Sequence, residues 1–149
     1  MSNTVDEILD LLGTPEFAVL EIGERVWKFR QPQTYSAQRS EARAEAEWIK
    51  AHRNGENLMP EHRELLPKDF DDAAARMVYI LHKRCIESPN MVEGEPAISL
   101  PDAIKLLRAP KFCELVEKVL GAYSYNESAR LLEAEVAKEK NALSETPST

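Results

Sequence analysis

His82 and Cys85 lie three residues apart, a spacing that could supply two zinc ligands from one helical turn. A structural zinc site takes four ligands, and the chain has neither a C-x-x-C nor an H-x-x-x-H pair to supply the others. Cys113 and His62 would have to arrive by folding. The pattern therefore reads as a packed thiol beside a solvated imidazole. Cys85 or Cys113 as a nucleophile would need an electropositive, partly exposed setting and a histidine base. Each sits instead in an apolar helical pattern, where burial raises a thiol's pKa and makes it inert. Asp69, Asp71 and Asp72 could in principle hold a cation, but the calcium-loop pattern D-x-D-x-D-G and its distant Glu are missing. Acids at a helix start are accounted for by the positive end of the helix dipole. No G-x-x-x-x-G-K or G-x-G-x-x-G phosphate loop occurs. These readings lead us to expect no enzyme, no metal site and no cofactor, and to look for binding.

The elements that would present a binding surface are legible in the periodicity. In Ala109–Gly121, Phe112, Leu115, Val116, Val119 and Leu120 recur at the spacing of one helix face. Pro110 suits the first turn and Gly121 the left-handed residue that closes a helix. Phe70, Ala73, Ala74, Met77, Ile80, Leu81 and Cys85 mark a second amphipathic helix, expected to run from Phe70 to Cys85. Tyr35 to Arg53 is an Ala- and Glu-rich helix with Trp48 and Ile49 as its large apolar residues, stopped by Asn54 and Gly55. Thr4 and Glu7 form a capping box ahead of Val5, Ile8, Leu9 and Leu12, and Ser99 and Asp102 a second helix start. Only F-A-V-L-E-I-G-E-R-V-W-K-F-R-Q-P reads as β, two strands reversing at Gly23. Trp27 and Phe29 share one face of the second strand; Val26, Lys28 and Arg30 share the other. An exposed strand border can pair with another chain, so proline at Val26 or Lys28 should impair self-association more than folding.

The expected architecture is mainly α within an α+β class: a short N-terminal helix and a β-hairpin, then four to five helices. One globular domain is expected over residues 1–140, with the hairpin in 13–32, helices in 35–140 (including a polar one over about 127–140), and a flexible tail at 141–149. With 43% hydrophobic and 30% charged residues the chain falls among globular proteins. The start M-S-N-T-V-D-E has no basic region followed by an apolar run, and no window suits a membrane span, so a cytoplasmic, non-membrane protein is expected.

Charge is uneven along the chain. Residues 1–24 carry six acids and no Lys or Arg, whereas residues 25–53 carry seven Lys/Arg against three Glu. That basic segment holds Trp27, Phe29, Tyr35 and Trp48, so an adaptor or regulatory protein contacting nucleic acid is an alternative. The net charge of −7 counts against it, because phosphate binders are usually basic as whole domains. A protein-binding surface is the main expectation. Its candidate residues are Val26, Trp27, Phe29, Trp48, Phe70, Met77, Leu81, Phe112, Leu115 and Val119. The stripes of Phe112, Leu115 and Val119 and of Phe70, Met77 and Leu81 would form an apolar groove for amphipathic segments, with Met77 and Met91 adapting to varied clients.

The hairpin text I-G-E-R-V-W-K-F-R-Q-P-Q-T-Y-S-A-Q-R and the later L-P-D-A-I-K-L-L-R-A-P-K-F-C-E-L-V-E-K-V-L-G-A-Y-S resemble the tail assembly chaperones of long-tailed bacteriophages and prophages. In that family a short hairpin precedes a run of helices, and the resemblance spans about two-thirds of the chain by layout. It implies a non-enzymatic assembly factor that binds the tape-measure protein, recruits tail-tube subunits and self-associates. Some members of that family are also made in a longer, frameshifted form.

Overall fold

The computed structural model describes residues 4–121; the expected helix over 127–140 and the tail at 141–149 lie outside them. Helix α1 (Thr4–Leu12) closes at Gly13, whose N–H donates to the Leu9 carbonyl at 2.8 Å. Strands β1 (Phe17–Ile22) and β2 (Arg25–Arg30) pair antiparallel, with Phe17 opposite Arg30 and Ile22 opposite Arg25. The reversal is the two-residue turn Gly23-Glu24. Gly23 has φ +63° and Glu24 keeps a negative φ, the pattern of a type II′ turn, which matches strand twist. Ala18, Leu20 and Phe29 fill the core side of the hairpin, as period-two alternation requires.

The sheet has a third strand that the apolar periodicity did not reveal. Helix α4 (Asp72–Tyr79) widens into a π-type turn over Ile80–Arg84, closed by the Cys85 N–H donating to the Ile80 carbonyl five residues back. The chain then extends into β3 (Cys85–Glu87), which pairs antiparallel with β2 in the order β1-β2-β3. Cys85 is thus a strand residue opposite Phe29, and the expected helix over Phe70–Cys85 ends early. Pairing with β2 satisfies the backbone groups that one more helical turn would have satisfied, so tertiary context overrides local periodicity. It also makes β2 the central strand. Lys28, opposite Val19 on one side and Glu87 on the other, belongs to the interior of the sheet, whereas Val26 pairs with Glu21 alone, and the open border of the hairpin is β1.

The helices form where capping and spacing place them. Helix α2 (Tyr35–Ala51) starts at Thr34, whose hydroxyl accepts the Ala37 N–H at 3.1 Å. It ends at a 3₁₀ turn, Arg53–Gly55, in which Asn54 (φ +60°) and Gly55 (φ +80°) are left-handed. A Cβ on Gly55 would lie 2.6 Å from Leu66 Cδ1, so both backbone and packing ask for glycine there. A one-turn helix α3 (Pro60–Arg63) occupies a stretch that reads as loop in the sequence. Asp71 caps α4 by accepting the Ala74 N–H at 2.9 Å. Ser99 caps α5 (Leu100–Lys105), and a 3₁₀ turn, Leu106–Arg108, leads to α6 (Pro110–Gly121).

The fold is therefore mainly helical α+β, with a helix, a hairpin and then helices in the expected order. α6 packs on β1 and α2 on α4, around a core that includes Phe29, Ile80, Leu81, Ile104 and Val116. Fully burying each such side chain contributes about 1.5–3 kcal/mol. No helix among the described residues is long and apolar enough to cross a membrane.

Candidate protein-binding surface

The ten residues expected to bind partners separate by burial. Phe29 and Leu81 are fully buried and Met77 is 4% exposed, so these three are core residues and present nothing to a partner. The expected groove between the stripes of α4 and α6 fails for that reason: Met77 and Leu81 face inward and are covered by the chain's own elements. Val26, Trp27, Trp48, Phe70, Phe112 and Val119 are half-buried. Leu115, at 38% exposure, is the most open of the ten.

Packing explains the half-buried aromatics. Trp27 meets Phe112 edge-on with ring centroids 5.2 Å apart, fixing α6 to the sheet. Trp48 stacks on His52 at 3.9 Å, and Lys83 Nζ sits 5.6 Å from the centre of the same indole. Phe70 and Val119 lie against the core, and Val26 lines an open concavity of about 620 Å³ with Glu24, Glu87 and Met91. Met91 is 45% exposed, so the flexible thioether expected to adapt to clients is on the surface, though away from the α6 stripe.

An open apolar surface lies on α1, which carries none of the ten candidates. α1 buries none of its side chains: Ile8 is 51% exposed, Leu9 60% and Leu11 81%. The signal was present in the capping box and the Val5, Ile8, Leu9, Leu12 spacing, yet amphipathic spacing alone does not distinguish a core face from a docking face. On β1, Val19 and Ile22 add exposed apolar atoms along the sheet border.

Several of the groups weighed for chemistry have a structural occupation, whereas His62 Nδ1 is buried with no hydrogen-bond partner. Cys85 Sγ donates to the Glu87 carbonyl at 3.3 Å, and burial pushes its thiol up to about 12. Cys113 donates to the Leu106 carbonyl, and burial, aided by Glu117, pushes its thiol up as well. His82 Nδ1 bonds to the Ile98 carbonyl and His52 Nδ1 to the Trp48 carbonyl, both at 2.9 Å. Asp71 is the α4 cap and Asp72 pairs with Arg53 at 3.0 Å. Among the described residues no three His, Cys, Asp or Glu gather where they could hold a metal ion.

A polar cluster that no spacing announces joins β2, α2 and the π-type turn. Arg84, 7% exposed, donates to the Arg30 carbonyl at 2.9 and 3.1 Å and to Gln31 Oε1 at 2.7 Å. Its guanidinium lies 3.3 Å from Glu41, which also accepts both bonds of Arg30 NH2 and the Tyr79 hydroxyl at 3.2 Å. Burial and the Glu41 charge push the Tyr79 hydroxyl up to about 12. The partners are more than thirty residues apart apart from Arg30 and Glu41, so folding alone brings them together. The cluster holds elements in place, and Gln31 Nε2, buried within it, has no hydrogen-bond partner. Comparison of this chain with known protein families, with curated proteins and with solved structures finds no match in any of the three.

Proposed function

We propose that this protein is a non-enzymatic assembly chaperone of the phage-tail type. On this reading it binds amphipathic segments of the tape-measure protein in the host-cell cytoplasm, keeps them from aggregating and recruits tail-tube subunits. The observation that carries the proposal is apolar surface left open beside a well-packed core: Leu115 on α6 between half-buried Phe112 and Val119. Open apolar side chains at helical spacing suit a helical client, and the surrounding acids favour solubility. The hairpin-then-helices layout and the motifs quoted above support the phage-tail assignment.

The alternative is an adaptor touching nucleic acid through residues 25–53. Three cations of that segment are already engaged, Lys28 with Glu87 at 3.6 Å, Arg30 with Glu41 at 2.7 Å and Arg53 with Asp72 at 3.0 Å. Co-expression separates the readings. The tape-measure protein should stay soluble and co-purify with the wild-type chain, and Leu115→Asp should release it. A tape-measure protein that aggregates regardless, or a complex indifferent to Leu115→Asp, overturns the chaperone reading. DNA retention that weakens steeply with salt would favour the adaptor.

A further inference from the structure

We infer that two copies of this chain exchange their α1 helices, each docking on the outer face of α2 in the other copy. The chain's own charge distribution selects that occupant. Residues 1–24 carry six acids and no Lys or Arg, and α1 presents Ile8, Leu9 and Leu11 to solvent with Asp6 and Asp10 beside them.

The complementary surface is on α2. Arg39, Arg43 and Lys50 project from its exposed side and take part in none of the ion pairs among the described residues. Glu41 and Glu45 turn to the other side of α2, to Arg30, Arg84 and Arg76, so Glu47 is the one acid beside these three cations. Tyr35, 66% exposed, lies at the start of the same face with the Arg39 guanidinium over its ring. An acidic helix with an apolar stripe thus has a basic helix face to meet.

Interface size favours reciprocal exchange. One docked nine-residue helix falls short of the ~1,200 Å² that stable interfaces bury, and a twofold swap doubles the contact and closes the assembly. The register Phe17 opposite Arg30 places the tether of α1 and the approach to α2 at one end of the sheet, within mutual reach of two copies. This pairing goes beyond client binding, and either can fail without the other.

The test is the molar mass of the full-length protein by light scattering over a concentration series. A dimer is expected, with dissociation rising at least tenfold in Leu9→Asp and in the double variant Arg39→Glu, Arg43→Glu. Adding Asp6→Lys and Asp10→Lys to that double variant should restore the dimer, which a merely unfolded chain could not do. α1 supplies no buried side chain, so circular dichroism of Leu9→Asp should match wild type. A monomer at every concentration, an α1 protected from proteolysis within a monomer, or a dimer indifferent to these changes overturns the inference.

Discussion

Glu41 accepts hydrogen bonds from Arg30 and Tyr79 and forms an ion pair with the buried Arg84. Removing its charge strands a guanidinium that burial already disfavours, since desolvation pushes the Arg84 pKa down. Glu41→Gln should therefore cost about 3 kcal/mol, read as a lower urea midpoint at unchanged slope. The pH response has a defined sign. Cys85 rises from 9.0 and Tyr79 from 10.0, each to about 12 in the folded chain. The folded state thus keeps protons that the unfolded state releases, and their stabilisation, whole below pH 9, is lost as pH climbs toward 12. Urea midpoints should be flat from pH 7 to 8.5 and fall by pH 10.5, with a smaller fall in Tyr79→Phe. At this scale the sequence was readable where a residue acts on its neighbours: the Ser99 cap and the inert thiols follow from local pattern, whereas Asp71, expected inside a helix starting at Phe70, caps one that starts at Asp72. The Arg84 cluster was not, because nothing near Arg84 or Gln31 records a partner some fifty positions away.

Among the elements, the hairpin and the helices built on Tyr35, Asp72, Leu100 and Pro110 were legible because cap, stripe and stop agree with one another. The end of α4 was not. The apolar spacing runs unbroken through Ile80, Leu81 and Cys85, yet β2 needs a second neighbour and captures Cys85–Glu87 as a strand. That capture decides what proline does. Lys28→Pro removes a donor from the middle of a three-stranded sheet and should cost about 3 kcal/mol or more. Val19→Pro lies on the border strand. The Gln31 N–H donating to the Glu16 carbonyl sets the ladder's phase and turns the Val19 N–H outward. Its thermal midpoint should therefore drop much less than that of Lys28→Pro. Equal losses would mean the β1 border is covered. The candidate surface was only half visible for a related reason: a stripe tells that a helix buries something, and only the packed structure tells that Met77 and Leu81 are consumed inside while Leu115 is not.

At the scale of the whole molecule, stability and partner contact are drawn from different parts of the chain. The core is shared by β1, β2 and the later helices, and α1 adds no buried side chain to it. Deleting residues 1–12 should leave the melting temperature within about 3 °C of wild type at a concentration where both are monomeric. A larger drop would place α1 in the fold proper. The wide turn at Ile80–Arg84 has a final consequence. It passes the chain from helix to strand with no intervening loop, so neither can open without pulling the other. At a concentration where the protein is monomeric, amide protons of β2 and of residues 77–87 should consequently exchange with deuterium at one common, slow rate, while those of α1 are replaced within the dead time of the experiment.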